Sequence, residues 1–184
     1  MRVSAAEALA NFGPDTRGKG VAALAGLLRH EDALVRGTAA RGLRAKGPTA
    51  GDAVPALTGA LRDEDPDVRE GAAVALGDMG AAAKPAIAAL ADLLKDTNED
   101  VRAAAASAFA KIGPDARAAV PALTEVLQNE SADRVRQMAG YALRRIQEER
   151  AEGGGESGHK ADPEQKGAAA ADTNGVFRKI PQQP

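Results

Sequence analysis

The feature that most constrains the fold of this chain is a repeated unit of roughly 33 residues, a length typical of repeat architectures. The unit recurs over residues 1–150, and each copy opens on a Val-Arg pair or its equivalent, at Met1, Val35, Val68, Val101 and Val135. Three apolar columns in the second half recur once in each unit: Val21, Val54, Ile87 and Val120; Leu24, Leu57, Leu90 and Leu123; Leu28, Leu61, Leu94 and Leu127. Such a strict period predicts a fold built from stacked copies of one unit.

The spacing inside each copy predicts two helices. Val68, Ala72 and Leu76 fall at i, i+4 and i+8, which places them on one apolar stripe of a helix. Gly47-Pro48 and Gly113-Pro114 interrupt the pattern in mid-unit, where glycine ends one helix and proline prevents its continuation. Each unit is therefore expected to be a helical hairpin.

A single hairpin of short helices cannot bury its apolar stripe, whereas stacked hairpins bury a continuous core. We therefore predict an all-α fold, an α-solenoid of about four and a half hairpins over residues 1–150. Lys46 replaces an apolar stripe residue, and its stem is expected to lie along the edge of the core. Residues 151–184 change to Gly, Ala, Glu and Lys without a helical stripe, which predicts a flexible, disordered tail. Whether its apolar residues Val176, Phe177 and Ile180 form a docking motif stays open.

The repeated pattern D-x-x-V-R-x-x-A-x-x-A-L, followed by P-A-L-x-x-L-L-x-D, resembles the bacterial HEAT repeat of the phycobilisome-lyase type. The resemblance covers residues 1–147 and implies a superhelix in which the second helices line the concave side. It implies no single function, because solenoids of this kind serve many unrelated tasks.

Helical geometry identifies the side of the second helices that faces away from the core. The residues on that side include Gly26, Arg29, Gly59, Arg62, Asp92, Lys95, Glu125 and Gln128. The resemblance to HEAT arrays implies that this side is concave and binds the partner. Arg29, Arg62 and Lys95 form a column with neighbours about 10 Å apart, which suits a partner with spaced carboxylates such as an acidic helix. The alternative is a solvated face whose cations favour helix C-terminal turns.

A second basic column lies beside the core stripe of the first helices, at Arg36, Arg69, Arg102 and Arg136. Asp67 and Asp100 stand just before two of these arginines, where an aspartate can cap the helix. We expect these six residues to form a structural ladder of ion pairs between units, rather than a functional site.

The composition argues against most chemistry. The chain has no cysteine, two histidines and no tryptophan, and its 24 basic and 26 acidic residues nearly cancel. HEAT-type deoxyhypusine hydroxylases bind iron through His-Glu pairs, and the matching positions here, such as Glu70-Gly71 and Ala103-Ala104, carry none. We therefore predict no catalytic residue, no metal site and no cofactor. The neutral balance also disfavours nucleic acid and anionic membranes as partners.

The resulting functional hypothesis is a non-enzymatic scaffold that binds a protein on its concave face or its exposed end helices. One alternative is a lyase-like or chromophore-handling subunit related to the phycobilin lyases. Another is a fragment of a larger HEAT array, with end-to-end self-association through the uncapped first helix at residues 1–12. No secretory signal or spanning segment is visible, so a cytoplasmic location is expected.

Overall fold

The computed structural model describes residues 18–152, with side chains described through residue 148. This range contains helices and short turns and no strand. The α-helices are α1 (Lys19–Leu27), α2 (Ala33–Lys46), α3 (Val54–Ala60), α4 (Pro66–Asp78), α5 (Ile87–Asp92), α6 (Glu99–Ile112), α7 (Val120–Asn129) and α8 (Asp133–Glu152). The first helix predicted at residues 1–12, self-association through it, and all but the start of the predicted tail lie outside the described residues.

The helices alternate between two stacked rows. The first helices of the units, α2, α4, α6 and α8, pack each against the next. The second helices, α1, α3, α5 and α7, each pack against the first helix of the following unit. This arrangement is the all-α solenoid of HEAT-like hairpins that the sequence predicts, and the fold prediction is confirmed.

The turn inside each hairpin depends on one glycine. Gly47, Gly80 and Gly113 follow first helices and have φ angles of 56°, 58° and 70°, a region that residues with a side chain rarely occupy. Each glycine opens a 3₁₀ segment, at Gly47–Ala53, Gly80–Ala86 and Gly113–Ala119. The second helices therefore begin late in the unit and are short.

The core follows the predicted columns. Leu24, Leu57, Leu90 and Leu123 are all 0% exposed. Leu28, Leu61 and Leu94 are also buried, but Leu127 is 40% exposed. Leu127 lies in α7, the last of the second helices in the described range. Lys46 is half-buried at the C-terminal end of α2.

Candidate functional site

Arg36, in the first turn of α2, joins two loops that lie between units. Its Nη1 donates to the carbonyl oxygens of His30 and Glu31 at 2.9 and 3.0 Å. Its Nε and Nη2 donate to the two carboxylate oxygens of Asp63 at 2.7 and 2.8 Å. The side chains of Arg36 and Asp63 are only 8% and 10% exposed. Such a bidentate, charge-assisted pair holds both loops in one geometry.

The next two units repeat this arrangement. Arg69 donates from Nη1 to the carbonyl oxygens of Asp63 and Glu64, and from Nε and Nη2 to Asp96 at 2.8 and 2.9 Å. Arg102 donates in the same way to the carbonyl oxygens of Asp96 and Thr97, in the loop before its helix, and reaches Glu130 at 2.7 and 3.2 Å. We call these three arginines and their acceptors Asp63, Asp96 and Glu130 the arginine ladder.

Arg136 forms only part of this pattern. It donates to the carbonyl oxygens of Glu130 and Ser131 at 2.6 and 2.8 Å. Its carboxylate partner is Asp133, three residues earlier on the same helix, instead of an acid from a following loop. Arg136 therefore anchors the last described loop without linking it to a further unit.

Asp67 and Asp100, which were predicted to belong to this ladder, are not part of it. Asp67 and Asp100 do not pair with Arg69 and Arg102, because they lie in the first turns of α4 and α6 and not in the loops that the arginines reach. Asp100 pairs instead with Arg134, in the following unit.

The prediction that Asp67 and Asp100 cap their helices is also wrong, because both residues lie inside the first helical turn. The caps of α4 and α6 are Asp65 and Asn98, whose side chains accept the backbone N–H of Asp67 and Asp100 at 2.8 Å. A cap must precede the first helical residue so that its oxygen can turn back onto the free N–H groups.

A signal for the correct acids was present in the sequence. Asp63 and Asp96 occupy the same position in consecutive units, two residues before each cap. Each accepts the N–H of its cap residue, at 3.0 Å for Asp65 and 2.8 Å for Asn98. One carboxylate thus shapes the turn and receives the arginine.

The ladder lowers the pKa of its acids. Burial would raise the pKa of Asp63, but the hydrogen bonds from Arg36 and from the N–H of Asp65 outweigh burial and hold the pKa below its usual range. The pKa of Asp96 is lowered against burial in the same way by Arg69 and the N–H of Asn98. For Glu130 the hydrogen bond from Arg102 is the largest cause of the lowered pKa. These acids therefore favour the folded state only while they are ionised.

The lowered pKa values set the direction of a pH effect. Because the unfolded chain binds more protons, the stabilisation is complete above the ordinary carboxyl pKa and is lost as pH falls through the folded value, below about pH 4. We expect Asp63→Asn to flatten the fall in unfolding free energy between about pH 6 and pH 3, measured by urea unfolding. Asp52→Asn is the matched control, because Asp52 is exposed and makes no ion pair within the described residues. Equal pH slopes for Asp63→Asn and the parent would contradict the role of Asp63.

The predicted partner-binding residues are exposed and lie in the second helices or in the turns directly after them. Gly26, Arg29, Gly59, Arg62, Asp92, Lys95, Glu125 and Gln128 are all exposed, and we call this set the second-helix face. A Cβ added at Gly26 or Gly59 would meet no atom within 4 Å. The backbone of α1 and α3 is therefore open to close approach at these two points.

The three cations of the second-helix face differ in their surroundings. Lys95 is paired with Glu125 of the next unit at 3.2 Å. Within the described residues, Arg29 and Arg62 make no ion pair and no side-chain hydrogen bond. The column therefore divides into two arginines without a partner in this range and one lysine that already has one.

The junctions between units also differ near the start of the second helices. Lys84 and Asp115 form an ion pair of 2.9 Å across the junction of the third and fourth units. The equivalent positions one unit earlier are Gly51 and Ala82. An open groove of about 490 Å³ occupies that earlier junction, lined by Gly51, Val54, Pro55, Thr58, Ala82 and Pro85. We call it the 2/3 groove.

The described residues offer no obvious metal centre. Among residues 18–152, no group of three or more His, Cys, Asp or Glu side chains could hold a metal ion. His30 instead uses Nδ1 to accept the N–H of Asp32 at 3.0 Å, in the place that Asp63 takes in the next loop. This histidine has a structural role in the loop.

The comparisons with known proteins place the chain in a family. The model for HEAT repeats matches residues 21–110 and 80–144, which together cover more than half of the sequence. The chain belongs to the HEAT-repeat family. A search of curated proteins finds no match.

Solved structures with the same fold include engineered and natural proteins. One engineered protein is 28% identical with a TM-score of 0.63, over 78% of this chain and 72% of its own. The complex of CpcE and CpcF of the phycocyanin lyase from Nostoc sp. PCC7120 gives 27% identity and a TM-score of 0.65. That match covers 83% of this chain but only 62% of the lyase chain. A designed armadillo repeat protein in complex with a (KR)4 peptide, at 21% identity and a TM-score of 0.59, matches 69% of this chain and 64% of its own, and shares the fold alone.

No helix among residues 18–152 combines the length and the apolar character that crossing a bilayer requires.

Proposed function

We propose that this chain is a non-catalytic scaffold that binds a protein partner on its second-helix face. The observation that carries the proposal is a pair of exposed arginines, Arg29 and Arg62, which have no partner within residues 18–152 and lie beside the open backbone at Gly26 and Gly59. Arginine is suited to such a contact because its planar group binds carboxylates in a bidentate way. Glycine next to it lets a partner reach the helix closely.

The partner is expected to carry negative charge along the contact. The three arginines of the ladder, and Arg136 after them, are already bonded to carboxylates or to loop carbonyls. Lys95 is paired with Glu125. Among the described residues, Arg29 and Arg62 are therefore the members of the two basic columns whose charge is available to a partner.

Charge reversal tests this proposal. A partner captured from a lysate is identified and purified, and its dissociation constant is measured by calorimetry. We expect Arg29→Glu with Arg62→Glu to weaken binding roughly tenfold or more, because two charge-assisted contacts become repulsive. Arg117→Glu with Arg144→Glu is the matched control, since both residues are exposed and outside the second-helix face. Equal affinity for the Arg29/Arg62 variant and the parent would refute the proposal.

A second candidate is a subunit that handles a chromophore together with a partner chain. It is supported by the similarity to the CpcE–CpcF complex of a phycocyanin lyase, at 27% identity. Titration of a phycobilin into the purified chain, followed by absorbance, distinguishes the two. A spectral change that saturates at one equivalent would favour this candidate, and an unchanged spectrum would count against binding by the chain without a partner.

A further inference from the structure

The junction of the second and third units and the junction of the third and fourth units are built from equivalent positions, but these positions carry different side chains. At the junction of the third and fourth units, both cation positions are satisfied, since Lys84 pairs with Asp115 and Lys95 with Glu125. At the junction of the second and third units, the matching residues are Gly51, Ala82, Arg62 and Asp92. No ion pair is formed by Arg62 or Asp92 within the described residues. Two exposed ion pairs thus bridge the junction of the third and fourth units, where a smaller pocket of about 160 Å³ lies beside Lys95 and Glu125. Neither pair has a counterpart at the matching positions of the junction of the second and third units, within the described residues.

The 2/3 groove, at the junction of the second and third units, has a defined shape. A Cβ on Gly51 would lie 3.8 Å from the Cβ of Ala82, so the two positions are close but carry no bridging side chains. The 2/3 groove that results has a mostly apolar lining from Val54, Pro55 and Pro85. An apolar side chain of a partner would displace water from this surface.

Arg62 lies beyond one end of this groove. Thr58, which lines the groove, and Arg62 are four residues apart, so they are neighbours on one face of the helix and its last turn. At 1.5 Å per residue, Arg62 lies roughly 6 to 12 Å along the axis from the groove residues Thr58 and Val54. An extended peptide covers that distance in about two to four residues.

We infer that the 2/3 groove with Arg62 is the specificity site of the scaffold, and that it takes an extended peptide with an apolar residue and an Asp or Glu two to four residues away. The apolar side chain enters the groove between Gly51 and Pro85, and the carboxylate meets Arg62. This inference rests on the proposed function and narrows it to one junction. The junction of the third and fourth units, where Lys84 pairs with Asp115 and Lys95 with Glu125, is the internal comparison.

The first step of the test uses a phage-displayed library of random dodecapeptides selected on the full chain. The enriched peptides should share an apolar residue and an acidic residue two to four positions apart. Enrichment of basic peptides, or no enrichment, overturns the inference. A labelled synthetic copy of the most enriched peptide is then used for fluorescence anisotropy.

The second step closes the groove by copying the next junction. Gly51→Lys with Ala82→Asp places at this junction the residue types of the ion pair Lys84–Asp115, and circular dichroism checks that the variant is folded. We expect its dissociation constant for the peptide to rise roughly tenfold or more, as for Arg62→Glu. Asp92→Asn removes the acid that stands in the position of Glu125 and should tighten binding. Leu34→Ser, at a 69% exposed residue of α2, is a control that should bind as the parent does.

The outcomes separate this inference from the proposed function. In one outcome, Arg29→Glu with Arg62→Glu weakens binding of the purified partner, but Gly51→Lys with Ala82→Asp leaves the dissociation constant of the peptide unchanged. The scaffold proposal then stands and the inference is overturned. If the affinity of the partner is also unchanged by Arg29→Glu with Arg62→Glu, the scaffold proposal and the inference are both overturned. Loss of peptide binding on groove closure, with the Leu34→Ser control unchanged, supports the inference.

Discussion

Replacing Arg36 with methionine is expected to lower the free energy of unfolding by about 3 kcal/mol, because removing one partner of a buried ion pair leaves an uncompensated charge. The substitution removes the bonds to both oxygens of Asp63 and to the carbonyl oxygens of His30 and Glu31. Methionine keeps much of the apolar stem, so the loss reports the guanidinium more than the packing. Urea unfolding followed by far-ultraviolet circular dichroism gives the free energy.

Arg44→Met is the matched control on the same helix. Arg44 pairs with Asp78 of the next unit at 2.6 Å, but its side chain is 52% exposed. Exposed ion pairs contribute at most about 1 kcal/mol. A loss for Arg36→Met no larger than that for Arg44→Met would show that the ladder does not stabilise the solenoid.

Gly77→Ala should destabilise the chain by about 1–3 kcal/mol, the usual cost of overfilling a packed interior. A Cβ at Gly77 would lie 2.8 Å from the Cα of Ala108, so α4 and α6 would have to separate. The atom it meets belongs to the backbone of the neighbouring first helix and cannot rotate away. Thermal and urea unfolding measure the effect.

Gly59→Ala is the control of opposite sign. Gly59 lies in α3, and a Cβ there meets nothing within 4 Å. Alanine in an open helical position stabilises by up to about 1 kcal/mol, since it restricts the unfolded chain and favours the helix. If Gly77→Ala and Gly59→Ala had equal free energies of unfolding, the close approach of α4 and α6 would not be the reason for a glycine at position 77.

Much of the site could be anticipated from helical periodicity. The exposed side of the second helices follows from the column of buried leucines opposite it, so Arg29 and Arg62 could be placed on that side from their spacing. Whether each of these charges forms an ion pair could not be anticipated from the spacing. Lys95 and Arg62 occupy the same position in consecutive units, yet within residues 18–152 Lys95 has a partner and Arg62 has none. That difference depends on side-chain reach across a junction, which a one-dimensional pattern does not contain.

The arginine ladder is a second case in which the sequence pattern shows one partner of an interaction but not the other. The recurring arginines were evident, but their acceptors lie 27 or 28 residues later, in loops that the superhelix brings together. Asp67 and Asp100 are nearer to the arginines in sequence, but they lie in the first turns of the helices and not in the loops that the arginines reach. Loop geometry decides instead, since the acid two residues before each cap turns toward the arginine of the preceding unit.

The sequence by itself determined the helical hairpin, its period, the buried columns and the family. These follow from local spacing, because each turn of helix repeats its contacts every three or four residues. The tertiary structure decided which acid meets which arginine, at which junction Lys95 and Glu125 form an ion pair, and where the 2/3 groove lies. These features depend on how neighbouring units pack against each other, which local spacing along the chain does not contain.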